Sequence, residues 1–354
     1  MKFVKIVFPL ALITLLCFSF FSCSKEDNPV IPPVDTNYHF DSSRFELKEF
    51  NLNYPDGFWT GAWVIDTNEF FVVNAMSNFL IHYKNGVYEN ITFSDGSRMS
   101  HIGGFSKNEG YLFSSVYTNG TSYPNIKKWN GSSFVTIPNS QTFPKGFRIS
   151  TAYYKSPTEI WLACIGQIIK FDGSKLTSYP VEDSLMLSMD IFYDSQNRLR
   201  LWSYYFNKEI DTVFRNYIYE FRGNQFEKIY EFRTNLYLDE TILAVPGNFF
   251  GGYSRNKIYE FQEGVFIPRI QTQFSAFNNM IGNSFDDLFI KGNYINHETH
   301  YLYSFFHWNG SRWSLEKGPP NDYLKFGKVN ENLFYAVNSD FSAYKSYLLI
   351  YKRK

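Results

Sequence analysis

A hairpin that recurs six times at a nearly constant spacing, an aromatic content of 20% and the absence of helical periodicity predict an all-β fold. The arithmetic of the repeat narrows this to a seven-bladed β-propeller of four-stranded antiparallel blades, its ring closed by an N-terminal strand. The unit is clearest in QIIKFDGSKLTSYP, from Gln167 to Pro180. Ile168, Ile169 and Phe171 lead into Asp172-Gly173, a turn dipeptide that tolerates positive φ, and Leu176 and Tyr179 lead out. The turn glycines of the six copies are Gly86, Gly131, Gly173, Gly223, Gly264 and Gly310, separated by 45, 42, 50, 41 and 46 residues.

Taken in order, the chain opens with a secretory signal over residues 1–22. Lys2 and Lys5 supply its positive start, and Ile6 to Phe21 form an uncharged apolar stretch of about 16 residues, short for a membrane span of roughly 20. Phe20-Phe21-Ser22-Cys23 follows, and Ser24-Lys25-Glu26-Asp27 places two acidic residues behind the cysteine. Residues 28–37, NPVIPPVDTN, hold three prolines and no periodic pattern, so 23–37 reads as a tether and semi-extended spacer. The propeller is expected over 38–354.

Within the propeller each hairpin is preceded by another strand, as in EFFVVNA from Glu69, EIWLACI from Glu159 and NLFYAVN from Asn332. An earlier short run, such as GAWVI from Gly61 or LSMDIFY from Leu187, makes the fourth. We name the strands a to d from the axis outward. The last unit stops at LLIYKRK, a third strand with no fourth, and the alternating Arg44 to Phe50 is free to pair beside Leu348 to Tyr351 and remove the open edge. Dividing residues 38–354 among seven units gives about 45 each, the spacing of the turns.

Charge excludes some partners. The 34 basic and 34 acidic residues balance, so no basic excess points to nucleic acid. Of three cysteines, Cys17 leaves with the signal and Cys23 is the candidate lipidation site. Cys164 is left alone in the apolar strand IWLAC, as a buried small hydrophobe. No cofactor or metal is expected: His297 and His300 in NHETH are three apart in a loop, where a metalloprotease helix needs four.

The lines around Cys23 resemble a bacterial lipobox, with Phe20 standing where Leu or Val is commoner. The acidic pair behind it is similar to the export signal of Bacteroidetes surface lipoproteins. The repeats resemble propeller blades of sensor-kinase ectodomains and Bacteroidetes surface proteins, with an IWxxxxxxIxxFDG pattern. This resemblance implies a lipid-anchored protein of the outer membrane, at the cell surface or, as the alternative, facing the periplasm. Its propeller would be a non-catalytic binding module for a glycan or a protein partner; the alternative is a propeller glycosidase or lyase acting on extracellular polysaccharide.

Ligands of propellers usually meet the face shared by the d-to-a and b-to-c connections. Four b-to-c connections are long, starting at Ser115, Tyr204, Gly292 and Asn338, and are expected to be loops. On the d-to-a side stand Tyr54, Asp56, Trp59, Arg98, His101, Arg148 and Asp239, with Asp183, Glu240 and Asp322 nearby. Rings beside carboxylates and arginines suit stacking against sugars or gripping a peptide.

Overall fold

The computed structural model describes residues 34–38, 44–52, 59–75, 77–118, 121–138, 149–164, 166–181, 188–194, 196–205, 214–234, 249–252, 257–262, 265–272, 276–284, 286–295, 302–315, 323–340 and 345–354. The first two strands are β1 (Val34–Tyr38) and β2 (Phe45–Asn51). The first sheet is then β3 (Trp59–Asp66), β4 (Glu69–Asn74), β5 (Phe79–Lys84) and β6 (Val87–Thr92). The second is β7 (Arg98–Ser106), β8 (Glu109–Thr118), β9 (Thr121–Trp129) and β10 (Phe134–Ile137). The third is β11 (Ile149–Ser156), β12 (Glu159–Cys164), β13 (Gln167–Phe171) and β14 (Leu176–Pro180). The fourth is β15 (Ser188–Tyr193), β16 (Leu199–Tyr205), β17 (Phe214–Arg222) and β18 (Gln225–Thr234).

A fifth sheet holds β19 (Phe249–Gly252), β20 (Lys257–Gln262) and β21 (Val265–Gln271). The sixth is β22 (Ala276–Ser284), β23 (Asp287–Ile295), β24 (Leu302–Trp308) and β25 (Trp313–Leu315), with β1 added in parallel beside β25. The seventh is β26 (Tyr323–Asn330), β27 (Leu333–Asp340), β28 (Lys345–Arg353) and, outermost, β2. The inner strands β22, β26, β3, β7, β11 and β15 touch one another in that order, which makes the molecule a β-propeller of four-stranded antiparallel blades.

Two expectations are corrected. Seven complete blades are not present among the described residues: six sheets have the full four strands and the fifth has three. The spacer read over 23–37 also ends early, because 34–37 belong to β1; the open edge of β25 offers a backbone ladder to an adjacent extended segment. The pairing read for the N-terminal strand is present, with Phe45 opposite Arg353 and Asn51 opposite Tyr347.

The core lies between the sheets. Phe50, Trp59, Phe70, Leu333 and Leu348 are buried together where the seventh sheet meets the first. Trp63, Phe71, Leu112 and Trp129 join the first to the second, and Tyr111, Phe113, Ile160 and Phe171 the second to the third. Ring geometry in these seams is mostly edge-on, as for Phe113 on Phe171 at 5.7 Å and 84°. The turns hold register by side-chain capping: Asn130, Asp172 and Asn309 each accept from the backbone amides two and three residues on. Each is followed by a glycine at φ near +90°, the left-handed region in which a Cβ is strained.

A buried ionic cluster fastens the sixth sheet to the seventh. Asp287, 3% exposed, accepts from His307 at 2.9 Å and from Arg353 at the end of β28, with Arg44 at 3.9 Å. Burial pushes this carboxyl up, but His307 and Arg353 outweigh it and hold it below the ordinary carboxylate range. A carboxyl depressed in the folded state stabilises fully above its unfolded pKa of about 3.9, and the contribution is lost as pH falls through the folded value. Asp287→Asn is therefore expected to cost about 3–5 kcal/mol near neutral pH. Urea midpoints across acid pH should show the difference from wild type closing; a difference that persists there would contradict the assignment.

Candidate binding face

The blade topology creates two unlike faces. On one, the a-to-b and c-to-d turns lean on each other: a Cβ at Gly131 would meet Asn108, at Gly173 the carbonyl of Pro157, and at Gly310 the side chain of Asp286. We call this the turn face. On the other lie the d-to-a connections and the b-to-c connections.

The long b-to-c connections begin as continuations of the ladders, and residues 119–120, 206–213, 296–301 and 341–344 within them lie outside the described residues. In the second sheet β8 and β9 stay paired from Ser115↔Pro124 out to Thr118↔Thr121. In the fourth, pairing continues to Tyr205↔Arg215, in the sixth to Ile295↔Leu302, and in the seventh to Asp340↔Lys345. A projecting segment must satisfy its backbone donors and acceptors, and pairing with itself does so. Val116, Tyr117, Thr118 and Thr121 are also strand formers. The third sheet by contrast turns between Cys164 and Gln167. The ladders of these four sheets thus run towards one face, farthest in the second, where β8 and β9 form an arm; we call it the arm face.

The base of the second-sheet arm is pinned from the neighbouring blade. Asp95, in the connection from β6 to β7, accepts from Lys127 of β9 and from Asn125 at 2.8 Å. Its other oxygen accepts from the Ser97 amide at 3.1 Å and hydroxyl at 2.5 Å. Lys127 is 2% exposed; its ammonium also donates to Asn125 at 3.1 Å and lies 5.0 Å from the Phe93 ring centre. Partial burial raises the Asp95 carboxyl, but the bonds from Lys127, Ser97 and Asn125 win and hold it well below the usual range. Ser114 donates to the Asn125 carbonyl at 2.7 Å, so β8 is tied in as well.

The expected site residues separate accordingly. Arg98 is exposed at the start of β7, opposite Ser115 at the root of the same arm. His101 lies further along β7, half-buried opposite Phe113. Trp59 is 1% exposed in the seam between the seventh and first sheets, so it offers no ring for stacking; the inner end of β3 faces the neighbouring blade, not solvent. Tyr54, Asp56, Arg148 and Asp239 lie outside the described residues, as do Asp183, Glu240, Asp322, Cys23, His297 and His300. Cys164 is fully buried, and burial pushes its thiol up to about 12. Among the described residues no three metal-ligating side chains converge. Sequence reasoning missed Asp95 and Lys127. The signal was present in Lys127-Lys128: on a strand, adjacent side chains face opposite ways, so one of the pair points inward.

A cavity of about 550 Å³ opens on the opposite, turn face, lined by Ile65, Asp66, Thr67, Glu331, Leu333 and Lys352 among others. Asp66 there caps the amides of Asn68 and Glu69 at 2.6 and 3.0 Å, and Lys48 of β2 bonds Thr67 and Asn68 at 3.1 Å each. These groups serve the junction between sheets.

No protein-family model matches the chain, and no curated protein matches it. Solved structures do. YCF48 bound to D1 peptide superposes with a TM-score of 0.56 at 12% identity, over 93% of this chain and 100% of that one. A streptogramin B lyase matches with a TM-score of 0.53 at 15% identity, over 88% and 99%. BBS1N in complex with ARL6DN matches with a TM-score of 0.52 at 10% identity, over 88% and 97%. At such identities the likeness shows the fold alone.

The pin should behave asymmetrically. Asp95→Ala strands a buried ammonium and is expected to cost about 1–3 kcal/mol. Lys127→Met should cost less, because an apolar chain of similar shape fills the slot while the abandoned carboxylate, 38% exposed, reaches water. Urea midpoints give the ranking, and the reverse order would refute this account of the pair.

Proposed function

We propose that the chain is an envelope lipoprotein, acylated at Cys23, whose propeller is a non-catalytic binding module that grips a protein or peptide partner on its arm face. The ring in this reading has seven blades and is closed by β2, in keeping with the seven sheets and the β2–β28 ladder. The observation that carries the binding role is the extension of the ladders towards one face, longest in the second sheet, where β8 and β9 pair out to Thr118↔Thr121. Such an arm presents both backbone edges and side chains, including Tyr123 at 38% exposure and Arg98 at its root. YCF48 with its D1 peptide and BBS1N with ARL6DN are propellers of similar shape bound to polypeptide, which supports a partner of that class. Burial of Trp59 removes the ring best suited to a sugar and moves the reading from a glycan towards a protein. Asp95 is committed to Lys127 and Ser97 instead of standing ready as an acid or base.

Two measurements test this. Cys23→Ala is expected to move the protein from the membrane to the soluble fraction; unchanged fractionation ends the lipoprotein reading. Replacing residues 117–122 by Asn-Gly leaves Val116 and Tyr123 joined by a two-residue hairpin turn. That variant should keep the wild-type melting temperature and lose at least tenfold in affinity, about 1.4 kcal/mol, for a partner captured by crosslinking in the envelope. Undiminished affinity would remove the arm from the site.

A further inference from the structure

The direction of the first strand orients the propeller with respect to its anchor. β1 is parallel to β25, with Val34 beside Trp313, the first residue of β25 after the Asn309–Arg312 turn, and Tyr38 beside Leu315. A strand parallel to a d strand begins on the turn face and runs towards the arm face. β2 does the same: Phe45 lies opposite Arg353 at the turn-face end of β28, and Leu52 donates to Ser346 near its arm-face end. Both N-terminal strands therefore enter the propeller from the face opposite the arm.

From this path we infer that the propeller stands with its turn face towards the lipid surface and its arm face pointing away. The partner is then met in the surrounding phase or on an opposing surface, not in the plane of the bilayer that holds the anchor. The inference rests on the acylation of Cys23 proposed above. Ten residues, 24–33, separate Cys23 from Val34, a reach of about 40 Å at full extension. Strands of six to ten residues, such as β4 and β8, put about 20–30 Å between the two faces. Presenting the arm face to the bilayer would require the tether to run back along the rim of the sixth sheet, which takes up most of that length. It would also sacrifice the freedom of a short chain whose prolines already favour an extended course. With the turn face inward, the same tether simply continues the line of β1.

The test uses the full-length acylated protein in vesicles carrying a headgroup quencher, with one fluorophore at a time on an introduced cysteine. Lys107→Cys and Lys175→Cys report the turn face, and Ser94→Cys and Tyr123→Cys the arm face; all four positions are exposed, while the native Cys164 is fully buried. Turn-face reporters are expected to be quenched at least about twofold more strongly, given the 20–30 Å between faces. Equal or reversed quenching in protein that floats with the vesicles overturns the orientation and leaves the anchor standing. Protein that does not float overturns the anchor, and the orientation with it.

Discussion

The sheets of this molecule whose faces are described pack apolar side chains against their neighbours, which alone cover them. That constraint governs the rest of the structure. The apolar clusters are accordingly properties of pairs of sheets: Trp161 of the third packs with Phe221 and Phe226 of the fourth, and Phe45 and Tyr351 of the seventh with Phe289 of the sixth. The sequence of one blade is written against the shape of the next. Gly104 and Gly110 face each other across β7 and β8, and a Cβ on either would come within about 2.3 Å of the Trp63 indole from the first sheet. The two glycines together form the slot that this ring occupies.

Polar groups in the seams follow the same rule. Glu69, Glu109, Glu159 and Asp287 occupy one structural position, the first residue of a b strand, and each has its own set of partners. Glu69 meets His82 at 3.2 Å and Lys84 at 3.0 Å, Glu109 meets Lys128 at 2.7 Å, and Glu159 takes Trp161 at 3.2 Å and Tyr193 from the next sheet. Asp287 takes His307 and Arg353. A buried carboxylate–histidine pair seen once invites a catalytic reading. Here it occurs twice, at equivalent places, each imidazole stacked on its cross-strand phenylalanine: His82 on Phe71 at 4.1 Å, His307 on Phe289 at 4.4 Å. Repetition at equivalent positions marks these pairs as blade-building parts.

The repeat was legible because its signals are local. An Asn or Asp before Gly sets four of the six hairpins, and the apolar positions Phe45, Leu47 and Phe50 marked the strand that the last unit lacked. Features that depend on a distant partner were not legible. Val34 to Tyr38 became a strand only because β25 ends its sheet with an open edge, and nothing within those five residues records that edge. The second-sheet arm was read as a loop since Asn119 and Gly120 interrupt it, although its flanks are good strand formers. Trp59 stands at a connection-to-strand boundary, where composition alone does not separate a buried ring from an exposed one; the seam decides it. Most of the expected site residues fall outside the described segments; of the candidate face, the described residues include Asp95, Lys127, Arg98 and His101.

The division of labour between the two faces follows from where the seams end. On the turn face, a-to-b and c-to-d turns touch each other, and a side chain at Gly131, Gly173 or Gly310 would crowd the neighbouring turn. A change there strains two strand pairs at once. On the arm face the second-sheet ladder runs three residues past the start of β7, from Arg98↔Ser115 to Thr118↔Thr121, so that arm can lengthen or change sequence at little cost to the core. The exposed root of an arm still needs a fixed base, or its tip would wander. Asp95 and Lys127 supply one by joining the first-to-second connection to the strand from which the arm grows. A carboxylate that looks available for chemistry is thereby used to hold still the part of the molecule that is free to vary.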